Sequence, residues 1–156
     1  MSGYKELLEE FERFARSANS AEALMGSIAQ RLHERMTRYN WVGFYLVEDS
    51  ASKALVLGPH AGSFTPHRRI PLDTGLCGAA ASSGKTVLVN DVSADSRYLA
   101  GSPMVKGNLI VPIFVKNAVV AEMDVESYFT NTFQKADQKF IESCAALVEQ
   151  YMEKNT

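Results

Sequence analysis

An α+β fold built on one antiparallel sheet is what this chain predicts, and three observations carry the prediction. Apolar residues recur at helical spacing near both ends. The middle is aromatic and β-branched in short runs. Those runs are joined by short polar turns, which pair strands antiparallel. Helices from both ends are then expected to pack on one face of the sheet, with loops and short helices over the other.

The elements follow in order. Tyr4, Leu7, Leu8, Phe11, Phe14 and Ala15 mark one face of a first helix. Residues 17–20 (Ser-Ala-Asn-Ser) break it and offer N-caps for a second, whose stripe is Ala21, Leu24, Met25, Ile28, Leu32 and Met36. Trp41 to Val47 reads as a strand, bounded by Asn40 and by Glu48-Asp49-Ser50. Ala54 to Leu57 reads as its hairpin partner. Gly58 to Arg68 is rich in Gly, Pro, Ser and His and reads as a loop. Arg69 to Leu72 is a short extended piece, with Pro71 marking an edge or turn. Gly75 opens a small-residue helix that Gly84 closes. Thr86 to Val89 is another strand. Asp91 to Gly107 is a connection long enough to serve as a lid or binding segment. Leu109–Val115 and Ala118–Val125 form a hairpin over Lys116-Asn117. A final helix runs from about Gln134 to Glu153, with Thr132 or Asn131 as its expected N-cap and Phe140, Ile141, Cys144, Leu147, Val148 and Tyr151 on its apolar face.

Composition narrows the function classes. The 156 residues are 46% apolar and 22% charged, as expected for one domain spanning 1–156. A net charge of −2 argues against nucleic acid, because His67-Arg68-Arg69 is too short to make a basic patch. No apolar run nears the roughly 20 residues of a membrane span, so a cytoplasmic protein without membrane contact is expected. Two cysteines give no disulfide framework. His33, His60 and His67 lack metal-ligand spacing, so neither a metal nor another cofactor is expected.

Candidate site residues come from the strands and the small helix. Trp41 and Tyr45 lie four apart on a strand and point to one face, as core aromatics or as a pocket wall. Asp124 and Glu126 share one face of a strand whose neighbours Val120, Met123 and Val125 imply burial. A buried carboxylate needs a partner: Arg68, Arg69 or Arg97, or the cationic group of a ligand. Cys77, at a helix start between Leu76 and Gly78, is near backbone N–H groups that would lower its pKa. Cys144 lies on an apolar stripe and reads as core. His67 reads as part of a solvated loop, against the alternative of an anion site. The Phe133 to Asp137 spacing faintly matches a cyclic-nucleotide signature, but Gln138 stands where that signature has an acid, so it reads as helix-start chemistry.

Six segments together resemble the GAF domains, and among them the free methionine-(R)-sulfoxide reductases: Asn40–Leu46, Leu55–Pro59, Arg69–Pro71, Gly75–Gly78, Ile110–Ile113 and Met123–Ser127. The resemblance covers nearly the whole chain. It implies a small enclosed cavity for a free amino-acid oxide and three cysteines. One cysteine attacks sulfur, becomes a sulfenic acid and is resolved as a disulfide that thioredoxin reduces. By this match only Cys77 survives. The other two cysteine positions fall near His67 and at Gly101, and the Cys77 to Pro112 spacing fits without a gap. The resemblance makes Trp41 and Tyr45 the aromatic pair for the methyl end of the ligand and Asp124 a family carboxylate. Glu126 stands for the usual aspartate. Asn108 stands for a glutamate that would bind and protonate the sulfoxide oxygen, and an amide has no such proton to give.

Three functions stay open at this point. The first is a catalytically degenerate module binding a small polar or amino-acid-like ligand through Trp41, Tyr45, Asn108, Asp124 and Glu126. The second is a one-cysteine methionine-(R)-sulfoxide reductase in which Cys77 attacks and thioredoxin or glutathione regenerates it. The third is a non-catalytic homodimer or interaction module built on the helix stripes.

Overall fold

The computed structural model describes residues 2–48, 51, 53–63 and 67–155. Asp49 and Ser50, expected to end the first strand, and residues 64–66 of the expected loop lie outside the described residues. In chain order the elements are α1 (Ser2–Ser17), α2 (Ala21–Arg35), β1 (Trp41–Val47), β2 (Leu55–Gly62), β3 (Arg69–Ile70), α3 (Gly75–Ser83), β4 (Val87–Val89), a 3-10 turn (Val92–Ala94), β5 (Gly107–Val115), β6 (Ala118–Ser127) and α4 (Lys135–Lys154). The strands form one sheet in the order β3-β2-β1-β6-β5-β4, with every neighbouring pair antiparallel. This is an α+β architecture, with a six-stranded antiparallel sheet and helices from both termini.

Local chemistry explains the element ends. The Ser20 hydroxyl accepts from Ala23 N at 3.0 Å and caps α2. Lys116 and Asn117 both adopt left-handed φ (52° and 67°), the conformation that matches the twist of a two-residue hairpin between β5 and β6. α3 ends at Gly84, also left-handed.

Two expectations are corrected. Gly58 to Arg68 is not wholly loop, because β2 continues through Gly62. Gly58 and Pro59 fall where the β1–β2 register shifts, so the N–H that Pro59 lacks is not missed by the ladder. The cap of α4 is Gln134, not Thr132 or Asn131. The Thr132 hydroxyl is engaged with Ser127 and the Phe129 carbonyl. The Gln134 N–H donates to Asp137 at 2.8 Å in a reciprocal capping box. Asp137 is therefore helix-start chemistry, as the spacing implied. It also accepts from Tyr39 at 2.5 Å and from Tyr4 at 2.8 Å, which ties α1 and the β1 entry to the start of α4.

Strand alternation sorts the side chains between two faces. Val42, Phe44, Leu109, Val111, Ile113, Met123 and Val125 face α1, α2 and α4, where Phe11, Ile28, Ile141 and Cys144 close an apolar core. Trp41, Tyr45, Leu55, Ile70, Val87 and Ile110 face the other way and pack under α3 with Leu76, Cys77 and Ala80. No helix among the described residues is long and apolar enough to cross a membrane.

Candidate functional site

A small cavity of about 30 Å³ opens between this second face, α3 and the connection that follows β4. Its walls include Tyr45, His67, Thr74 to Cys77, Tyr98, Leu99, Gly101, Asn108, Asp124 and Glu126. Two hydrogen bonds fix the rim. The Tyr45 hydroxyl donates to the His67 carbonyl at 2.8 Å, and a His67 ring nitrogen lies 2.7 Å from the Ala100 carbonyl. The 67 segment and the 98–101 segment are thereby joined over one side of the opening.

Register places the polar groups. Trp41 pairs with Glu126, Gly43 with Asp124 and Tyr45 with Glu122 across β1 and β6, all on the cavity face. Gly43 is required here. A Cβ at Gly43 would run into the Trp41 ring and come within 2.9 Å of the His60 Cβ. Without one, Trp41 lies over the strand, 6.3 Å from the Tyr45 ring and stacked on His60 at 5.7 Å. Trp41 therefore backs the cavity wall beside Tyr45 and does not itself line it.

Asp124 is the centre of the polar set and is 1% exposed. It accepts from the Asn108 amide at 2.5 Å and from the Cys77 thiol at 3.6 Å. The same amide donates to the Val125 carbonyl, which fixes its orientation. Burial pushes the Asp124 carboxyl up, against hydrogen bonds from Glu126, Asn108 and Cys77 that hold it down. Burial, and then the charge of Asp124, push Glu126 well up. Arg69 pairs with Glu48, and Arg97 with Asp95, so neither serves these carboxyls.

Cys77 departs from expectation. It sits in the first turn of α3, yet its pKa is raised well above the ordinary value. Burial is the main cause, followed by the nearby charges of Asp124 and Glu122. A partial helix charge does not offset three carboxyls and loss of water. Cys144 is in the core on the far side of the sheet, so no second thiol is near. Among the described residues no group of three or more His, Cys, Asp or Glu has an arrangement that could hold a metal ion.

The residues Tyr45, Cys77, Asn108, Asp124 and Glu126 are thus brought to one cavity. His67, read as solvated loop, is on its rim. Glu122 escaped the sequence reading altogether. It is fully buried, and neither carboxyl oxygen has a hydrogen-bond partner among the described residues. The signal was present: Glu122, Asp124 and Glu126 alternate with Ala121, Met123 and Val125, so all three acids share one face.

An antiparallel sheet backed by terminal helices on one face, with a side-chain-lined cavity on the other, defines an α+β domain. The GAF domain family profile matches residues 20–152, and the chain belongs to that family. It is related to the free methionine-R-sulfoxide reductases. It is 29% identical to the free methionine-R-sulfoxide reductase of Escherichia coli, over 96% of this chain and 88% of that one. It is 30% identical to GAF domain-containing protein A of Dictyostelium discoideum, over 94% and 90%. The structure of free methionine-R-sulfoxide reductase from Neisseria meningitidis in complex with its substrate superposes with a TM-score of 0.91 at 31% identity, over 96% of this chain and 88% of that one.

Proposed function

We propose that the chain is a binding domain that encloses a small, ammonium-bearing polar ligand of the amino-acid class and does not reduce it by a three-thiol route. One observation carries this reading. Cys77 faces the cavity as a protonated thiol among carboxyls, and the other cysteine lies across the sheet. The thiolate is the nucleophile in sulfur chemistry, and burial here disfavours it. A sulfenic acid formed at Cys77 would meet no resolving thiol within the chain. Asn108, an amide donor to Asp124, supplies no acid proton to a leaving oxygen. What is left suits binding. Asp124 and Glu126 accept from an ammonium group, and Tyr45, backed by Trp41, presents an apolar wall.

The test combines binding with turnover. Free methionine-(R)-sulfoxide and a panel of amino acids are scanned by thermal shift, then incubated with thioredoxin, its reductase and NADPH while methionine is quantified. A ligand at 100 times its Kd adds about 2.7 kcal/mol, roughly 5–10 °C for a chain of this size. The expected result is such a shift, lost in Asp124→Asn, with no methionine formed above the Cys77→Ala background. Methionine production that depends on Cys77, or the absence of any shift across the panel, overturns the reading.

A further inference from the structure

Glu122 is the group that the binding reading leaves without a task. It stands on the cavity face of β6 two residues from Asp124, which is two residues from Glu126. Its neighbours across the strands are Tyr45 on β1 and Pro112 on β5, and the Cys77 thiol of α3 lies beside it. It is 0% exposed, and neither carboxyl oxygen has a partner at hydrogen-bonding geometry among the described residues, although the Cys77 thiol is near enough to pull its raised pKa partly back down; the buried Trp41 Nε1 is likewise unpartnered. A buried polar group with no partner costs free energy that folding alone does not recover, so its presence here calls for a role.

The charge around it is one-sided. The titratable groups facing this row of acids are Cys77 from α3, Tyr45 from β1, and Tyr98 and His67 from the connecting segments. β5 contributes only the neutral Asn108, Ile110 and Pro112. No lysine or arginine is among the described residues that line the cavity. Among the described residues that line it, the first turn of α3 supplies a fixed positive feature equivalent to about half an elementary charge. A zwitterionic ligand brings its own carboxylate and so adds a fourth acid to the three.

We propose that this cavity selects a ligand of net positive charge, an organic amine whose carboxyl is absent or masked, over a zwitterionic amino acid of the same size, and that Glu122 sets the preference. The proposal rests on the binding reading and sharpens it. Glu122 stands beside Cys77 and does not line the cavity, so it acts at short range as a specificity residue and not as a contact. Burial raises all three carboxyls, Asp124 to about 6 and Glu122 and Glu126 well above their ordinary values. An arriving ammonium stabilises the ionised carboxyls, so the cation enters as protons leave.

The test uses two matched probes, L-methionine-(R)-sulfoxide and its carboxamide, the second carrying a neutral amide in place of the carboxylate. Affinities are measured by isothermal titration at neutral pH in two buffers of different ionisation enthalpy. The carboxamide is expected to bind at least about tenfold more tightly, with proton release visible as a buffer-dependent enthalpy. In Glu122→Gln the ratio is expected to fall toward one and the proton release to shrink. Glu122→Val provides the same readout if the amide variant folds poorly, with melting curves recorded for both. Equal or tighter binding of the zwitterion overturns the proposal while leaving the binding reading intact. A ratio unchanged in both variants removes Glu122 from the role. Failure of both probes to bind the wild-type protein overturns the binding reading and this inference together.

Discussion

Each face of the sheet holds one buried cysteine, and the two thiols have different surroundings. Cys144 is on the buried face of α4, in one core with Phe11, Phe44, Leu109 and Ile141, and burial alone pushes its pKa up. Cys77 is in the first turn of α3 against Asp124, with Glu122 and Glu126 alongside, and both burial and carboxylate charge push it up. The helix-side face satisfies itself: its side chains are apolar and interlocked. The cavity face reverses this one residue along each strand, burying acids whose needs the fold does not fully meet. The difference separates what holds the domain together from what it does. Stability is concentrated on one face, and the other retains buried acids with incomplete hydrogen bonding.

That contrast gives a ranked set of outcomes. The largest effect belongs to the closed face. Phe44→Ala, at a fully buried position, is expected to cost about 3–5 kcal/mol in denaturant unfolding. Next is Asp137→Ala, which strips the α4 cap and orphans the buried Tyr39 hydroxyl, for about 2–3 kcal/mol in the same assay.

The cavity face should show itself in pH dependence. Glu122, Asp124 and Glu126 have folded-state pKa values above their ordinary values of about 4, with Asp124 at about 6. The folded state therefore holds more protons than the unfolded chain. Their contribution to stability is complete below about pH 4 and is lost as pH rises through the folded values, at up to about 1.4 kcal/mol per pH unit per group. Glu122→Gln is expected to flatten this slope and to melt higher than wild type at about pH 8. A wild-type slope unchanged in the variant would mean that Glu122 is not part of the row. The smallest effect is Cys77→Ala. Its side chain borders open space, so about 1 kcal/mol or less is expected, below the loss from Cys144→Ala in the packed core.

The closed face was the more legible in the sequence. The stripes of α1, α2 and α4 follow helical periodicity, and Lys116-Asn117 announces its hairpin through local turn preference. The second half of β2 was hidden because Gly58-Pro59 reads as loop until a register shift against β1 accommodates it. The α4 cap was misplaced because Thr132 has the better capping side chain but a competing partner in Ser127. On the cavity face, alternation placed Trp41 with Tyr45 and Asp124 with Glu126, while the environment of Cys77 was illegible. Locally it is a helix start, and the carboxyls that dominate it come from a strand about 45 residues on, brought close only by the fold. His67 joins the cavity through its carbonyl and a long-range contact to Ala100, neither of which a loop composition reveals.

The ionisation of Cys77 tests the central claim most directly. In a Cys144→Ala background, thiolate absorbance in the ultraviolet is followed against pH, with the additional Cys77→Ala change as the blank. The account predicts that Cys77 stays a thiol through neutral pH and past the ordinary cysteine value of about 8.5. Thiolate appearing at or below that value in the folded protein would contradict it.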